Sequence, residues 1–106
     1  MNSQYFSHDE VKCKCINGCG QSAPMSRSFM VKMDLIREAY GKPIMVSSGF
    51  RCRMHNAEVG GVGNSLHTLG RAMDCMVGDL ERLAAIAREH CKEVIVYPTF
   101  VHIGDE

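Results

Sequence analysis

The sequence predicts an α+β domain in which helices flank a small, mostly antiparallel β-sheet. Two long segments, 26–40 and 79–91, have apolar residues at helical spacing, and short runs of strand-forming residues lie between and after them. The last two of these runs are separated only by Pro98-Thr99, which predicts an antiparallel hairpin after the second long helix.

The helices are predicted from their caps and their apolar faces. Ser7, followed by acidic residues in the first turn, indicates a short helix. Helix 26–40 ends at Gly41, and Pro43 cannot continue it. Residues 52–58 predict a further short helix. The apolar faces of the two long helices comprise Phe29, Met33, Ile36 and Tyr40 in the first and Leu80, Leu83, Ala84, Ala87 and Cys91 in the second.

The strands are short β-type runs bounded by turn residues. Residues 43–46 predict a buried strand that ends at a Ser-Ser-Gly turn. The glycines between positions 60 and 70 predict a loop, because glycine adopts left-handed backbone conformations without strain. The remaining predicted strands are 72–77, 94–97 and 100–103.

Composition limits the classes of function. The 106 residues suffice for one domain, 1–106, with a thin hydrophobic core. Twelve basic and twelve acidic side chains cancel, so no broad positive field predicts binding to nucleic acid or to an anionic membrane. No apolar run approaches the roughly 20 residues of a membrane span. We therefore expect no binding to nucleic acid and no insertion into membranes. The expected oligomeric state is a monomer.

Two histidines and an aspartate are the strongest candidates for a metal site. His67 lies in the predicted loop and Asp74 in the strand that follows it. Imidazole nitrogen and carboxylate oxygen both bind zinc, and a catalytic zinc site has three protein ligands. His102 is the candidate for the third, because strand alternation places it on the face opposite Val101 and Ile103. Taken singly, each of these residues is also explained by ordinary hydrogen bonding or capping.

Further motifs occur around these residues. In chain order they are Ser48-Gly49-Phe50-Arg51, His55-Asn56, Val59-Gly60-Gly61, Ser65-x-His67-x-x-Gly70-x-Ala72-x-Asp74, and Tyr97 followed by Phe100-Val101-His102. The set resembles the zinc D-Ala-D-Ala carboxypeptidases and phage murein peptidases, which share the hedgehog/DD-peptidase fold. Compact phage-type members, with a Cys-x-Cys loop near the N-terminus, look most similar.

The resemblance implies a function and a role for each matching residue. It implies a zinc enzyme that hydrolyses peptide bonds of peptidoglycan stem peptides, as a carboxypeptidase or an endolysin-type peptidase. Arg51 would face the tetrahedral intermediate or the substrate carboxylate, since its planar fork suits an oxyanion. Ser65 would bind or orient the substrate. The implied zinc ligands are His67, Asp74 and His102.

The general base is the part of the pattern that this sequence does not reproduce. The related compact enzymes often have an acid two residues after the last zinc ligand, where this chain has Gly104. Asp105 follows directly and is the first candidate. Tyr97, with an ordinary pKa of about 10, is a poor base but suits hydrogen-bond donation to an oxyanion. The other candidate carboxylates are Glu58 and Glu93.

The cysteines form a second group of potential ligands. Residues 1–10 lack the apolar segment of a secretory signal, which predicts a cytoplasmic protein (in the host cytoplasm if phage-encoded) with reduced thiols. One prediction is a structural zinc bound by four thiolates, although the spacing is tighter than in usual zinc sites. Disulfides and free thiols remain open alternatives. The four cysteines concerned are Cys13, Cys15, Cys19 and Cys52; those predicted to lie in the core are Cys75 and Cys91.

Two other functions fit the same residues. A zinc-stabilised module that binds the cell wall, or belongs to a virion, would have the metal site but little turnover. A cysteine-based zinc scaffold for protein contacts would leave the histidines without a chemical role. Hydrolysis of purified peptidoglycan separates an enzyme from both alternatives.

Overall fold

A computed structural model describes residues 3–15, 24–61 and 65–105. Short strands and helices alternate along these residues. In chain order the elements are α1 (His8–Val11), α2 (Arg27–Tyr40), β1 (Met45–Ser48), α3 (Arg53–Glu58), a 3₁₀ helix (Leu66–Leu69), β2 (Ala72–Met76), α4 (Leu80–Arg88), β3 (Glu93–Val96) and β4 (Val101–Gly104). In the described part of the chain, no helix is long and apolar enough to cross a lipid bilayer.

The strands form a four-stranded antiparallel sheet in the order β1-β2-β4-β3. The predicted C-terminal hairpin is therefore confirmed as β3–β4, and so is the α+β fold class. The register places Ser48 beside Asp74 and Asp74 beside His102. A row of polar residues thus crosses three neighbouring strands.

The hydrophobic core occupies one face of the sheet, which α2 and α4 cover. Val101 and Ile103 of β4 are fully buried in this core, whereas His102 between them projects from the other face. The polar row therefore lies opposite the core. The largest fully buried side chains include Phe29, Met33, Ile36, Met73, Leu83 and Ile103.

The helix ends follow the predicted caps. The Ser7 hydroxyl accepts a hydrogen bond from the Glu10 N–H, and the Glu10 carboxylate accepts one from the Ser7 N–H, which is a capping box. Ser26, which was predicted to lie inside the helix, instead caps α2 through its hydroxyl. Gly41 ends α2 with a left-handed φ of 78°, a conformation that glycine adopts without strain.

Strand β1 lies further along the chain than the predicted range 43–46. It comprises Met45–Ser48, because Ser48 continues the ladder by pairing with Asp74. Ile44 is buried in the core before the ladder begins. The apolar pattern therefore identified the buried residues Ile44 and Val46, but it did not identify where the hydrogen-bonded strand begins and ends.

The glycine-rich segment contains a 3₁₀ helix that was not predicted. It spans Leu66–Leu69, with the Ser65 hydroxyl accepting a hydrogen bond from the His67 N–H. Gly70 ends it with a left-handed φ of 68°. A helix of this length is too short to produce an apolar periodicity, so only its capping residues were visible in the sequence.

Candidate metal centre

The three predicted zinc ligands come together on the polar face of the sheet. Asp74 of β2 and His102 of β4 are direct neighbours, and the 3₁₀ helix places His67 above them. The Asp74 Oδ1 atom lies 3.2 Å from His67 Nε2 and 3.0 Å from His102 Nδ1. One donor atom from each residue falls within 4.8 Å of the other two. Such a cluster fits a single metal ion.

Each imidazole is oriented by a hydrogen bond from its outer nitrogen, which is the ring nitrogen that points away from Asp74. His67 Nδ1 lies 2.7 Å from the Gly49 carbonyl oxygen, and it donates to this acceptor. His102 Nε2 lies 2.5 Å from the Glu93 carboxylate. In both rings the remaining nitrogen faces Asp74, and its lone pair would become available to a metal once it no longer donates a hydrogen bond to the carboxylate. Hydrogen bonds of this kind orient metal-binding histidines and fix their tautomers.

Asp74 has the charge that a metal ligand needs. Burial alone would raise its pKa, but hydrogen bonds and charge interactions with His102 and His67 outweigh burial and hold the pKa far below its usual range. The Arg51 guanidinium adds an ion pair at 3.1 Å to Asp74 Oδ2. The carboxylate is therefore ionised throughout the neutral range.

Arg51 is held at the edge of this centre by three hydrogen bonds. Its nitrogens donate to Ser48 Oγ at 3.0 Å, to Asn56 Oδ1 at 3.3 Å and to Asp74 Oδ2 at 3.1 Å. Asn56, which is 3 % exposed, therefore braces the arginine. A fork fixed in this way presents a localised positive charge next to the candidate metal ligands.

A pocket of about 480 Å³ opens over the centre. The candidate ligands, Arg51 and Ser65 line its polar side, and Glu93 adds a carboxylate. Tyr97 also lines the pocket, with its ring stacked on that of Phe100 at 4.6 Å. Other apolar lining residues are Val59, Leu66 and Ile95. The pocket therefore combines an ionic floor with an apolar wall.

Asp105, the first candidate for the general base, does not lie in this pocket. It is 4 % exposed, and its carboxylate accepts a hydrogen bond from the Lys92 N–H at 3.0 Å and pairs with Lys32. One residue past β4, alternation directs it towards the face opposite His102. The assignment of the base to Asp105 is therefore corrected: its contacts are structural.

Of the two other candidate carboxylates, Glu93 lines the pocket, whereas Glu58 is exposed on α3 and is absent from the lining. Strand alternation could have identified Glu93, because Glu93 and Ile95 share one face of β3 and Tyr97 directly follows the strand. The hairpin register then sets that face beside His102.

The cysteines divide as the sequence suggested. Cys13, Cys15 and Cys52 come together, with one sulfur of each within 4.8 Å of the others. Cys19 lies outside the described residues. Cys75 and Cys91 are buried in the core, and burial raises the pKa of the Cys91 thiol to about 11. The five described cysteines form no disulfide with one another.

Comparisons with known proteins bear on the family of this chain. A family model described as peptidase M15 matches residues 4–104. A zinc D-Ala-D-Ala carboxypeptidase from Streptomyces albus G is 40% identical over 74 residues, which is 67% of this chain and 29% of the relative. The match thus spans less than a third of that protein's length.

Proposed function

The chain belongs to the peptidase M15 family, and on that basis we propose that it is a zinc metallopeptidase that hydrolyses peptide bonds of peptidoglycan stem peptides. The observation that supports this most strongly is the cluster of His67, Asp74 and His102, with a fixed arginine beside it in an open pocket. The zinc D-Ala-D-Ala carboxypeptidase to which the chain is similar supports the substrate class.

The donor set fits zinc. Two imidazole nitrogens and one carboxylate oxygen are ligands that catalytic zinc sites use, with a further position left for water or substrate. The outer nitrogens of both histidines already have acceptors, so their inner nitrogens are directed at one point. His67, Asp74 and His102 would hold the ion, which supplies Lewis-acid polarisation of the scissile carbonyl and activation of water.

Arg51 would stabilise negative charge on the substrate. Its guanidinium lines the pocket and is only 15 % exposed, so it interacts with a bound anion in surroundings that screen it weakly. The ligand is either the oxyanion that develops at the scissile carbonyl or the terminal carboxylate of a stem peptide. Preorganised donors of this kind lower the barrier because they need no rearrangement during the reaction.

Glu93 is the residue that we assign as proton acceptor. Among the described residues that line the pocket, it is the one carboxylate besides Asp74. Its ladder partner is Gly104, the position at which the similar compact enzymes often have an acid. A Cβ at Gly104 would lie 3.3 Å from His102 Nε2, the nitrogen that Glu93 contacts. The neighbouring strand thus supplies a carboxylate to the same place.

Exchanging the two carboxylates for amides tests this assignment. Glu93→Gln is expected to lower kcat by about 10²–10³-fold with unchanged zinc content, because the amide oxygen still accepts from His102 but takes no proton. Asp105→Asn is expected to keep turnover. Steady-state rates and metal analysis of both variants measure this, and full activity of Glu93→Gln would contradict it.

Asp105→Asn is instead expected to lower the melting temperature at pH 7. The hydrogen bond from Lys32 lowers the pKa of Asp105, with a smaller contribution from the Lys92 N–H. Its ion pair therefore stabilises the fold above about pH 4, and the stabilisation is lost as the pH falls through the lowered pKa. The difference in melting temperature from the wild type should shrink in acid; a constant difference would exclude this charge effect.

The proposed function is tested with the purified, zinc-loaded chain, peptidoglycan, and stem peptides that end in D-Ala-D-Ala. We expect hydrolysis that a chelator abolishes and zinc restores. Release of D-alanine identifies a carboxypeptidase, and cleavage within the peptide an endopeptidase. Bound zinc without cleavage of any of these substrates would favour the cell-wall-binding module instead. The cytoplasmic location, the monomeric state and the phage-type origin stay predictions.

Arg51→Lys supplies the matched test of the arginine. Lysine keeps the charge but loses the planar fork, so kcat/KM should fall about 10²-fold while zinc stays bound. Arg53→Lys, at an exposed position on α3, is the control and should retain normal rates. Equal activity of the two variants would show that the fork has no role in turnover.

A further inference from the structure

We propose that Cys13, Cys15 and Cys52, completed by His55, form a second zinc site that is structural and separate from the pocket. Two of the cysteines come from the segment after α1, Cys52 is the N-cap residue of α3, and His55 lies in its first turn. Cys13, Cys15 and Cys52 are absent from the pocket lining. The site therefore goes beyond the proposed function and is testable independently of it.

The sulfur atoms have the arrangement of a thiolate zinc site. All three lie within 4.8 Å of one another. Tetrahedral zinc with bonds of about 2.3 Å separates its sulfur ligands by about 3.8 Å, so small rotations of the side chains suffice. Cys13 is 3 % exposed, and its sulfur also accepts a hydrogen bond from the Cys52 N–H at 3.3 Å. A hydrogen bond from the backbone of one cysteine to the sulfur of another therefore already holds part of the cluster together.

His55 supplies the fourth ligand. Cys52-x-x-His55 has the spacing with which adjacent zinc ligands commonly occur. The backbone N–H of His55 donates to the Cys52 sulfur at 3.4 Å, but the ring nitrogens lie outside the 4.8 Å group of the three sulfurs, so a rotation of the side chain would have to bring the imidazole to the metal. Its Nδ1 atom is buried and has no hydrogen-bond partner among the described residues. A buried, unpartnered nitrogen is uncommon in native proteins, and a bound metal would account for it.

A metal explains this cluster better than a disulfide does. One disulfide uses two of the three sulfurs and leaves the third beside it, whereas one zinc ion takes all three. The core thiols offer no alternative pairing, because Cys75 and Cys91 lie in the hydrophobic cluster under α2 and α4. The chain is also small, and domains of this size often gain stability from a metal.

The second site would tie the N-terminal segment to the loop that orients the catalytic residues. Cys52 directly follows Arg51, and the carbonyl that orients His67 belongs to Gly49 in the same loop. Further contacts join the same segments: the Phe50 N–H donates to the Val11 carbonyl at 2.8 Å, and Lys14 Nζ donates to the Ser47 carbonyl at 3.0 Å. A bound zinc ion would add a further link between the segment after α1 and the loop between β1 and α3.

The experiment measures zinc content and the absorption spectrum after replacement of zinc by cobalt(II). We expect about two metal ions per wild-type chain and a thiolate-to-cobalt charge-transfer band. Cys13→Ser/Cys52→Ser should lose one ion and the band, and its melting temperature should fall. Asp74→Ala should lose the other ion and keep the band. Cys91→Ala, outside the cluster, should retain both ions.

Several outcomes would overturn the proposal. These are a wild-type chain without the thiolate band, or Cys13→Ser/Cys52→Ser with both ions retained. His55→Ala should lose the band, while Cys19→Ser should keep it; the opposite result would refute His55 as the fourth ligand. If the double variant does not fold, zinc-edge X-ray absorption of the wild type decides. Sulfur neighbours support the site, and nitrogen and oxygen alone exclude it.

Discussion

Asp74→Ala is expected to remove the catalytic zinc ion and to lower kcat/KM by about 10³-fold or more. The carboxylate contacts both candidate histidine ligands and also pairs with Arg51. Its removal deletes one of three ligands and leaves the guanidinium next to two imidazoles without a counter-charge. Both effects oppose the binding of a dication.

Zinc content and hydrolysis rates of this variant measure the effect directly. Asp9→Ala is the matched control, because the Asp9 side chain is 85 % exposed and its ion-pair partner among the described residues is Lys12 at the surface. The control should retain both metal and rate. An Asp74→Ala variant that still bound zinc and hydrolysed substrate would refute the assignment of the metal centre.

Gly49→Ala is expected to be strongly damaging although it adds only one methyl group. A Cβ at Gly49 would lie 2.6 Å from the Val11 carbonyl oxygen and 2.7 Å from the Val11 Cα, so backbone has to move. Overpacking of this kind costs about 1–3 kcal/mol, or about 4–8 °C in melting temperature for each kcal/mol. The shift would also displace the Gly49 carbonyl from His67 and lower zinc affinity by about 10–100-fold.

Gly78→Ala is the control for the same change in side chain. A Cβ there meets nothing within 4 Å, so the variant should be neutral or slightly more stable. Thermal unfolding and zinc titration of both variants provide the comparison. If Gly49→Ala were as stable as Gly78→Ala and bound zinc equally well, the close approach to Val11 would not constrain the site.

Local patterns predicted the parts of the fold that depend on nearest neighbours. The apolar face of α2, the cap at Ser7, the end of α2 at Gly41 and the β3–β4 hairpin all follow from residues within a few positions of each other. Strand alternation also placed His102 on the face opposite the core. The order of the strands and the partner of each histidine depend on contacts between distant segments, which one sequence does not reveal.

The choice of carboxylate shows this limit most clearly. Asp105 is near His102 along the chain, yet its side chain belongs with Lys32 and Lys92. Glu93 is nine residues from His102, and the hairpin register brings it to the imidazole. Distance along the chain favoured Asp105, whereas the register of the ladder favours Glu93.

The hydrogen bonds that the two histidines donate to the Gly49 carbonyl and the Glu93 carboxylate affect how the ion enters and leaves. They immobilise both rings while the chain folds. The loss of side-chain rotamer freedom, about 1 kcal/mol for each ring, therefore occurs on folding and does not weaken the binding of the ion. We infer a preorganised apoprotein that exchanges its metal without rearranging. Such stiffness also favours ions whose preferred geometry matches the cavity already formed.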